Sequence, residues 1–181
     1  MIFEEKTIKL KNGQEAILKS PAVEDAEELL NMVKTACGET DFLVRYPEEW
    51  DINVEQERAW IERLNLSESS VAIACYIGGR IAGNCQIDLG IRIKTRHSAR
   101  VGISILKEYW NLGIGSAMFC ELTEIAKSRG IKIIELGVID GNERAMALYK
   151  KNGFCEVCRR PNAFMLKNGE MQTEIYMQKK L

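Results

Sequence analysis

Apolar and polar residues alternate along the chain with two periods, one typical of strands and one typical of amphipathic helices. Near the N-terminus, short apolar runs at residues 7–10 and 16–19 flank Asn12-Gly13, which predicts a β-hairpin. Helical spacing then follows Ser20-Pro21 and predicts a first helix that ends at Gly38. A second helix is predicted from about Val54, after an irregular connection over residues 39–51.

The rest of the chain alternates strands with helices. The predicted strands cover residues 71–77, 80–89, 96–106, 131–139, 154–166 and 171–180, and the predicted helices cover residues 116–129 and 142–152. Asn142 supplies an N-terminal cap, and Gly130 and Gly153 supply C-terminal stops. An Asn168-Gly169 turn joins the last two strands. This order predicts an α/β protein with one mixed sheet and helices on its faces.

Composition favours a single globular domain over residues 1–181. Charged residues make up 28% of the chain, the hydrophobic set 46%, and the net charge is −1, so no global field attracts nucleic acid. No apolar run approaches the roughly 18 residues that span a bilayer. The N-terminus does not resemble a signal peptide. We therefore expect a cytoplasmic protein without a nucleic-acid or membrane partner.

The six cysteines are interpreted as small hydrophobic residues. Cys155 and Cys158 are spaced three apart on a strand, which predicts that their thiols point to opposite faces. No second pair is present to complete a zinc site. We therefore expect no metal.

A strand followed by glycines marks the first candidate site. The predicted strand ending near Leu106 leads into Gly113-Ile114-Gly115, which opens a helix. Amides at a helix start lack intrahelical partners and favour a negative ligand, so this segment predicts a phosphate site. It lacks the Gly-Lys-Ser/Thr ending of a triphosphate loop and the third glycine of a dinucleotide fingerprint. Alone, the glycine pair is equally well explained as a structural helix start.

A second motif strengthens the first. Asn142 and Tyr149 are seven residues apart, close to two helical turns, so both side chains can face one ligand. Gly153-Phe154 closes this helix. Together the two motifs resemble the GCN5-related N-acetyltransferase (GNAT) superfamily, particularly its ribosomal-protein and polyamine-type members. The likeness runs from about residue 39 to the C-terminus and includes Phe42-Leu43 and the segment around His97.

The resemblance implies the acyl-CoA N-acyltransferase fold, a single mixed, mostly antiparallel sheet splayed at its centre with helices on both faces. It implies transfer of acetyl from acetyl-coenzyme A to an amine acceptor. Dimers are frequent in such families, so a homodimer is one expectation. The family's glycine loop commonly begins with Arg or Gln where this chain has Trp110, so a side-chain contact from that position to the phosphates is not expected.

The resemblance also assigns roles to individual residues. Tyr149 would protonate the departing thiolate. The strand would hold the pantetheine arm, the loop amides the pyrophosphate, and an asparagine would contact the cofactor while capping its helix. The implied cofactor-binding residues are Ile103, Ser104, Ile105, Asn111, Leu112, Gly113, Ile114, Gly115, Ser116 and Asn142.

The residue that deprotonates the amine is not identified by the sequence. The candidates are Asp88, Glu135, Glu156 and His97, and Arg100 stands where some relatives have an acid. Deprotonation through water is the alternative. Direct transfer is preferred over a covalent intermediate, although Cys75 and Cys85 on adjacent strands leave that alternative open. A non-catalytic acyl-CoA sensor of the same fold is the alternative function, whereas an NAD-dependent enzyme would need a fingerprint that is absent.

The charge distribution suggests the class of acceptor. Residues 21–62 hold 12 acidic and 3 basic side chains, whereas residues 63–106 hold 2 acidic and 6 basic ones. An acidic excess on helices is usually solvated surface. Because the first two helices and their connection wall the acceptor site in the superfamily, we hypothesise that the acceptor is a cationic amine.

Overall fold

The computed structural model describes residues 1–181 and contains eight β-strands and four α-helices. The strands are β1 (Lys6–Lys9), β2 (Glu15–Lys19), β3 (Ser70–Ile77), β4 (Arg80–Leu89), β5 (Ser98–Ile105), β6 (Ile133–Ile139), β7 (Cys155–Met165) and β8 (Met171–Lys180). The helices are α1 (Ala26–Gly38), α2 (Val54–Leu66), α3 (Ile114–Ser128) and α4 (Glu143–Lys151). None of the helices combines the length and the apolar character needed to span a membrane.

The strands form one hydrogen-bonded sheet in the order β1-β2-β3-β4-β5-β6-β8-β7. The pairing of β5 with β6 is parallel, and its register covers three residue pairs from Ser98 to Arg100. The other recorded pairings, β1–β2, β2–β3, β3–β4, β6–β8 and β7–β8, are antiparallel. The predicted mixed, mostly antiparallel sheet is therefore confirmed.

Contacts divide the chain into two compact units. The first contains residues 1–88 and 102–118, and the second contains residues 89–101 and 119–181. The division falls within β5 and α3. The expectation of one domain over residues 1–181 stays a prediction.

In the first unit, α1 and α2 contribute to one hydrophobic cluster with β3 and β4. Its buried members include Leu29 and Met32 of α1, Ile61 of α2, and Ala74 of β3. Leu106, directly after β5, belongs to the same cluster. The packing of both helices therefore reaches the segment that leads into the glycine loop.

The predicted start of the first helix at Ser20-Pro21 was too early. A single 3-10 turn over Val23–Asp25 precedes α1. The Asp25 carboxylate explains the turn, because it accepts from the Ala22 amide at 2.8 Å and from the Tyr76 hydroxyl at 2.6 Å. A distant tyrosine thus holds the segment in a turn that local spacing alone does not indicate.

In the second unit, one face of the sheet is apolar. Ile134 and Leu136 of β6 and Ile175 and Met177 of β8 are all buried. These residues alternate with polar ones, as expected for strands with one buried face.

The prediction for Cys155 and Cys158 was wrong. A bulge in β7 between Glu156 and Cys158 places the two cysteines opposite Gln178 and Tyr176, which are two residues apart on β8. The bulge inserts one extra residue between the two cysteines. Both thiols therefore lie on the same face of the sheet, although a regular strand with this spacing would place them on opposite faces. Three of the six cysteines, Cys120, Cys155 and Cys158, are exposed, and the other three are buried.

Candidate active site

The segment between β5 and α3 folds as a tight loop. A 3-10 turn over Lys107–Tyr109 follows β5, and two left-handed residues, Asn111 (φ 64°) and Gly113 (φ 98°), then redirect the chain. Asparagine and glycine are the residues that adopt this region at least cost. Lys11, two residues after the end of β1, holds the loop in place, because its amide donates to the Leu112 carbonyl at 3.0 Å.

Six consecutive amides of this loop have no hydrogen-bond acceptor. The amide of Trp110 donates backwards to Lys107, and the amide of Ala117 donates to Gly113 as the first intrahelical bond. Between them, the amides of residues 111–116 donate to no protein atom. Such a run of open donors at the start of a 15-residue helix provides a ready site for an anion.

Trp110 ties the loop to the strand. Its indole Nε1 donates to the carbonyl oxygen of Ile105 at 2.7 Å, and the ring is half-buried. Trp110 stands where the family commonly has Arg or Gln. Its side chain therefore supports the backbone of the loop.

Replacing Trp110 by phenylalanine removes this donor while keeping an aromatic ring. We expect coenzyme A to bind about fivefold more weakly, because one lost hydrogen bond of about 1 kcal/mol loosens the loop that presents the amides. Isothermal titration calorimetry with coenzyme A measures the change. Trp60→Phe, half-buried on α2, is the control and should leave the affinity unchanged. Equal affinities for both variants would contradict the role of Trp110.

The end of β5 is fixed from β4. Ser104 Oγ donates to Asn84 Oδ1 at 2.6 Å, and the Leu106 amide donates to the Ala82 carbonyl at 3.0 Å. A methyl group at Gly83 would lie 2.6 Å from the Ser104 carbonyl oxygen, so this close approach needs glycine. Ile103, Ser104 and Ile105 are all half-buried. The predicted pantetheine-binding strand is therefore tied to β4 at its end and partly open to solvent.

A hydrogen bond between residues distant in sequence joins the α1–α2 connection to the segment that follows β5. Glu39 Oε2 accepts from the Lys107 amide at 2.7 Å. That amide opens the 3-10 turn and would otherwise lack a partner. Glu39, which follows the end of α1, thus holds the first residue of the segment between strand and glycine loop.

Asn142 is confirmed as the cap of α4. Its Oδ1 accepts from the Ala145 amide at 3.2 Å, and its own amide donates to the Ile139 carbonyl at 3.1 Å. The side-chain NH2 group has no recorded partner within the protein and the residue is half-buried. The predicted contact of Asn142 with the cofactor stays a prediction.

Tyr149 lies in an aromatic cluster. Its ring packs edge-on against Phe119 at 5.5 Å between centroids and lies 6.1 Å from Phe154. Burial raises the pKa of Tyr149 to about 12. The hydroxyl has no recorded hydrogen bond to another side chain. The phenol therefore keeps its proton at neutral pH and can donate it to a ligand.

The residues predicted as candidates for the base that deprotonates the amine either accept hydrogen bonds within the protein or are exposed to solvent. Each of the three strand carboxylates already accepts a side-chain hydrogen bond: Asp88 from Ser70 and Gln86, Glu135 from Gln178, and Glu156 from Arg159. His97 is exposed, and its carbonyl accepts from the amides of Lys132 and Ile133. Arg100 donates to the Tyr176 hydroxyl. None of these groups stands out as a free base.

The candidate nucleophiles for a covalent route are unsuited to it. Cys75 and Cys85 are completely buried in the sheet. Burial raises the pKa of Cys75 to about 12 and that of Cys85 further still, so neither forms the reactive thiolate. This favours direct transfer.

Sequence reasoning missed one charged residue. Glu57 of α2 is only 5% exposed, although it carries a carboxylate. The available signal was its place in the apolar helical stripe of Val54, Ile61 and Leu64. No group of three or more His, Cys, Asp or Glu side chains is placed to hold a metal ion.

The site residues therefore fall into two sets. The strand and the glycine loop lie together in the first unit. Asn142 and Tyr149 lie in the second unit, at the beginning of α4 and near its end.

The sequence model of the acetyltransferase (GNAT) family matches residues 37–154. The L-amino acid N-acetyltransferase AaaT of Escherichia coli (strain K12) is 31% identical over 122 residues, which cover 67% of this chain and 75% of that protein. The thialysine N-epsilon-acetyltransferase of Bos taurus is 33% identical over 81 residues, which cover 41% of this chain and 48% of that protein.

Among solved structures, an acetyltransferase of the GNAT family from Streptococcus pneumoniae superposes with a TM-score of 0.86 at 26% identity, covering 92% of this chain and 99% of that one. The family match includes the glycine loop, Asn142 and Tyr149, and it extends over well over half of the sequence. The protein therefore belongs to the acetyltransferase (GNAT) family, whose members use acetyl-CoA as the acetyl donor.

Proposed function

We propose that this enzyme transfers the acetyl group of acetyl-CoA directly to a primary amine of a small molecule or a peptide. The observation that carries the proposal is the run of open amides over residues 111–116, which follows a partly open strand and a short 3-10 turn. A pyrophosphate satisfies such donors, and the extended pantetheine arm suits an adjacent strand.

In the proposed reaction, the amine nitrogen attacks the thioester carbonyl, and the carbon–sulfur bond then breaks with its electron pair on sulfur. Main-chain donors of residues 103–105 would stabilise the negative oxygen that forms during the attack. One preorganised donor of this kind is worth about 3 kcal/mol. The amine loses one proton to water, and the departing thiolate takes one proton from water, so the released coenzyme carries a thiol.

Tyr149 is the proposed donor to the leaving sulfur. Its pKa of about 12 lies above the ordinary thiol value of about 8.5, so complete proton transfer to a coenzyme thiolate is uphill. A hydrogen bond from the phenol to the sulfur has no such cost and strengthens as negative charge develops there. We therefore assign Tyr149 to hydrogen-bond donation in the transition state.

The acceptor is proposed to be a cationic amine. Residues 21–62, which include α1 and most of α2, carry 12 acidic and 3 basic side chains. The two relatives described above are named for amino-acid and thialysine substrates, which also carry amino groups. A field of this sign raises the local concentration of cations.

Release of free thiol from acetyl-CoA with a panel of amines tests the function. We expect turnover with cationic amines such as diamines, and little with neutral or anionic amines at the same pH. Mass spectrometry should detect an added acetyl group on the amine. Coenzyme binding without turnover for any amine would instead support the alternative, a non-catalytic acyl-CoA sensor. Preference for neutral or anionic amines would contradict the cationic acceptor.

A further inference from the structure

Lys11 lies against the glycine loop, although it belongs to the hairpin near the N-terminus. A Cβ atom at Gly113 would lie 3.7 Å from Lys11 Cγ and 4.0 Å from Lys11 Cε, and these are the two heavy atoms of other segments within 4 Å of that position. Because the two carbons are almost equally close, the aliphatic chain of Lys11 runs alongside Gly113. Lys11 Nζ is bonded directly to Cε, so the ammonium group is held close to the loop.

The hairpin turn holds Lys11 in this place. The amide of the buried residue Leu10 donates to the Gln14 carbonyl at 2.8 Å, and the Gly13 amide donates to the Leu10 carbonyl at 3.0 Å. These two hydrogen bonds close the turn without the Lys11 amide, which donates instead to the Leu112 carbonyl at 3.0 Å. The contact between Lys11 and the loop therefore includes the backbone of both segments.

The ammonium group of Lys11 has no partner within the protein. Lys11 is exposed and takes part in no recorded ion pair or side-chain hydrogen bond. Its neighbours in the turn, Asn12 and Gln14, bond to each other, since Asn12 Nδ2 donates to Gln14 Oε1 at 2.7 Å. Lysine commonly packs its aliphatic stem against a surface while its charged end stays in water. The cation is therefore available to a ligand of the glycine loop.

The glycine loop has no charged side chain of its own. Residues 110–116 contain no charged residue, and the first turn of α3 contains no acidic one. The open amides of residues 111–116 supply hydrogen-bond donors and partial positive charge. A pyrophosphate carries full negative charges, which a nearby ammonium group stabilises by direct Coulomb attraction. Lys11 supplies the full positive charge that the loop lacks.

We propose that Lys11 is a further cofactor-binding residue that contacts the pyrophosphate of acetyl-CoA. The inference rests on the proposed binding of that pyrophosphate by the loop amides. An ammonium group suits this role because it is a compact charge with three donors, which can bind phosphate oxygens that the amides leave open. The hairpin of β1 and β2, at one edge of the sheet, would then form part of the site for the acetyl donor.

Lys11→Met is the test variant, because it removes the charge and keeps an aliphatic chain of similar length against Gly113. Calorimetry measures binding without turnover for three ligands: coenzyme A, dephospho-coenzyme A, which lacks the ribose phosphate but keeps the pyrophosphate, and S-acetylpantetheine, which has no phosphate. We expect both coenzymes to bind about tenfold more weakly to the variant, as for loss of a charge-assisted hydrogen bond. Binding of S-acetylpantetheine should not change.

Three controls separate the charge of Lys11 from other effects. Lys9→Met makes the same change at an exposed residue of the same hairpin and should leave all three affinities unchanged. Lys11→Arg keeps the charge and should recover most of the lost affinity. The melting temperature of Lys11→Met should stay within about 2 °C of the wild-type value, as expected for an exposed position. The difference between Lys11→Met and the wild type should also shrink as salt is added, because salt screens an exposed ion pair.

A Lys11→Met variant that binds coenzyme A as tightly as the wild type would overturn the role of Lys11, and so would an equal loss of affinity in Lys9→Met. A loss seen with coenzyme A but not with dephospho-coenzyme A would assign Lys11 to the ribose phosphate and overturn the contact with the pyrophosphate. Failure of the proposed pyrophosphate site itself gives a different result, because the wild type would then bind S-acetylpantetheine as tightly as dephospho-coenzyme A. That result would overturn both proposals.

Discussion

Replacing Tyr149 by phenylalanine is expected to lower kcat by about 100-fold and to leave the affinity for acetyl-CoA nearly unchanged. The variant loses only the hydroxyl, which has no recorded hydrogen bond within the protein and is proposed to donate to the leaving sulfur. The ring contacts with Phe119 and Phe154 remain. Steady-state kinetics and calorimetry with coenzyme A measure the two quantities.

The pH dependence gives an independent check on Tyr149. Because burial raises its pKa to about 12, the donating form is present at all lower pH values and is lost only as the pH rises through about 12. The wild-type rate should therefore show no alkaline decline caused by this residue between pH 7 and pH 10. Turnover of Tyr149→Phe equal to that of the wild type would remove Tyr149 from the mechanism.

Replacing Phe154 by alanine is expected to have the largest effect on stability, a loss of about 3–5 kcal/mol in the free energy of unfolding. Phe154 is 2% exposed, and its ring lies 5.5 Å from that of Phe119 and 6.1 Å from that of Tyr149. Alanine lacks the ring, so the variant loses the contacts with the rings of Phe119 and Tyr149 and has a cavity between them. Urea denaturation measures the change.

Phe164→Ala is the matched control for Phe154. Phe164 is half-buried on β7, where the Arg160 guanidinium lies 5.7 Å from its ring centroid. Its replacement should cost about 1 kcal/mol or less. A similar loss in the free energy of unfolding for both variants would show that Phe154 in the aromatic cluster around Tyr149 contributes no more to stability than the half-buried Phe164.

Local chemistry explains which features could be predicted from the sequence. Asn142 as a helix cap, Gly130 and Gly153 as helix stops, and Asn12-Gly13 as a hairpin turn all depend on neighbours within four residues. The structure has each of them where it was expected. The two motifs of the candidate site were found for the same reason, because each is a short segment with its own spacing.

The features that could not be predicted depend on residues far apart in the chain. The late start of α1 depends on Tyr76, which is 51 residues from Asp25. The shared face of Cys155 and Cys158 depends on a bulge that appears only in the pairing of β7 with β8. The burial of Glu57 depends on the packing of α2. Its spacing along the helix predicts a buried side chain, whereas its charge predicts an exposed one. Helix periodicity therefore identified the stripe but not the burial of its one charged member.

The hydrogen bond between Glu39 and the Lys107 amide has a thermodynamic consequence for the cooperativity of ligand binding. It joins the connection after α1 to the segment that precedes the glycine loop. A ligand that orders either segment therefore reduces the entropy that the other ligand must still remove on binding. Such coupling is reciprocal: if acetyl-CoA tightens the acceptor's binding by some factor, the acceptor tightens acetyl-CoA binding by the same factor. In Glu39→Ala this cooperativity should diminish, even where each ligand alone binds as before.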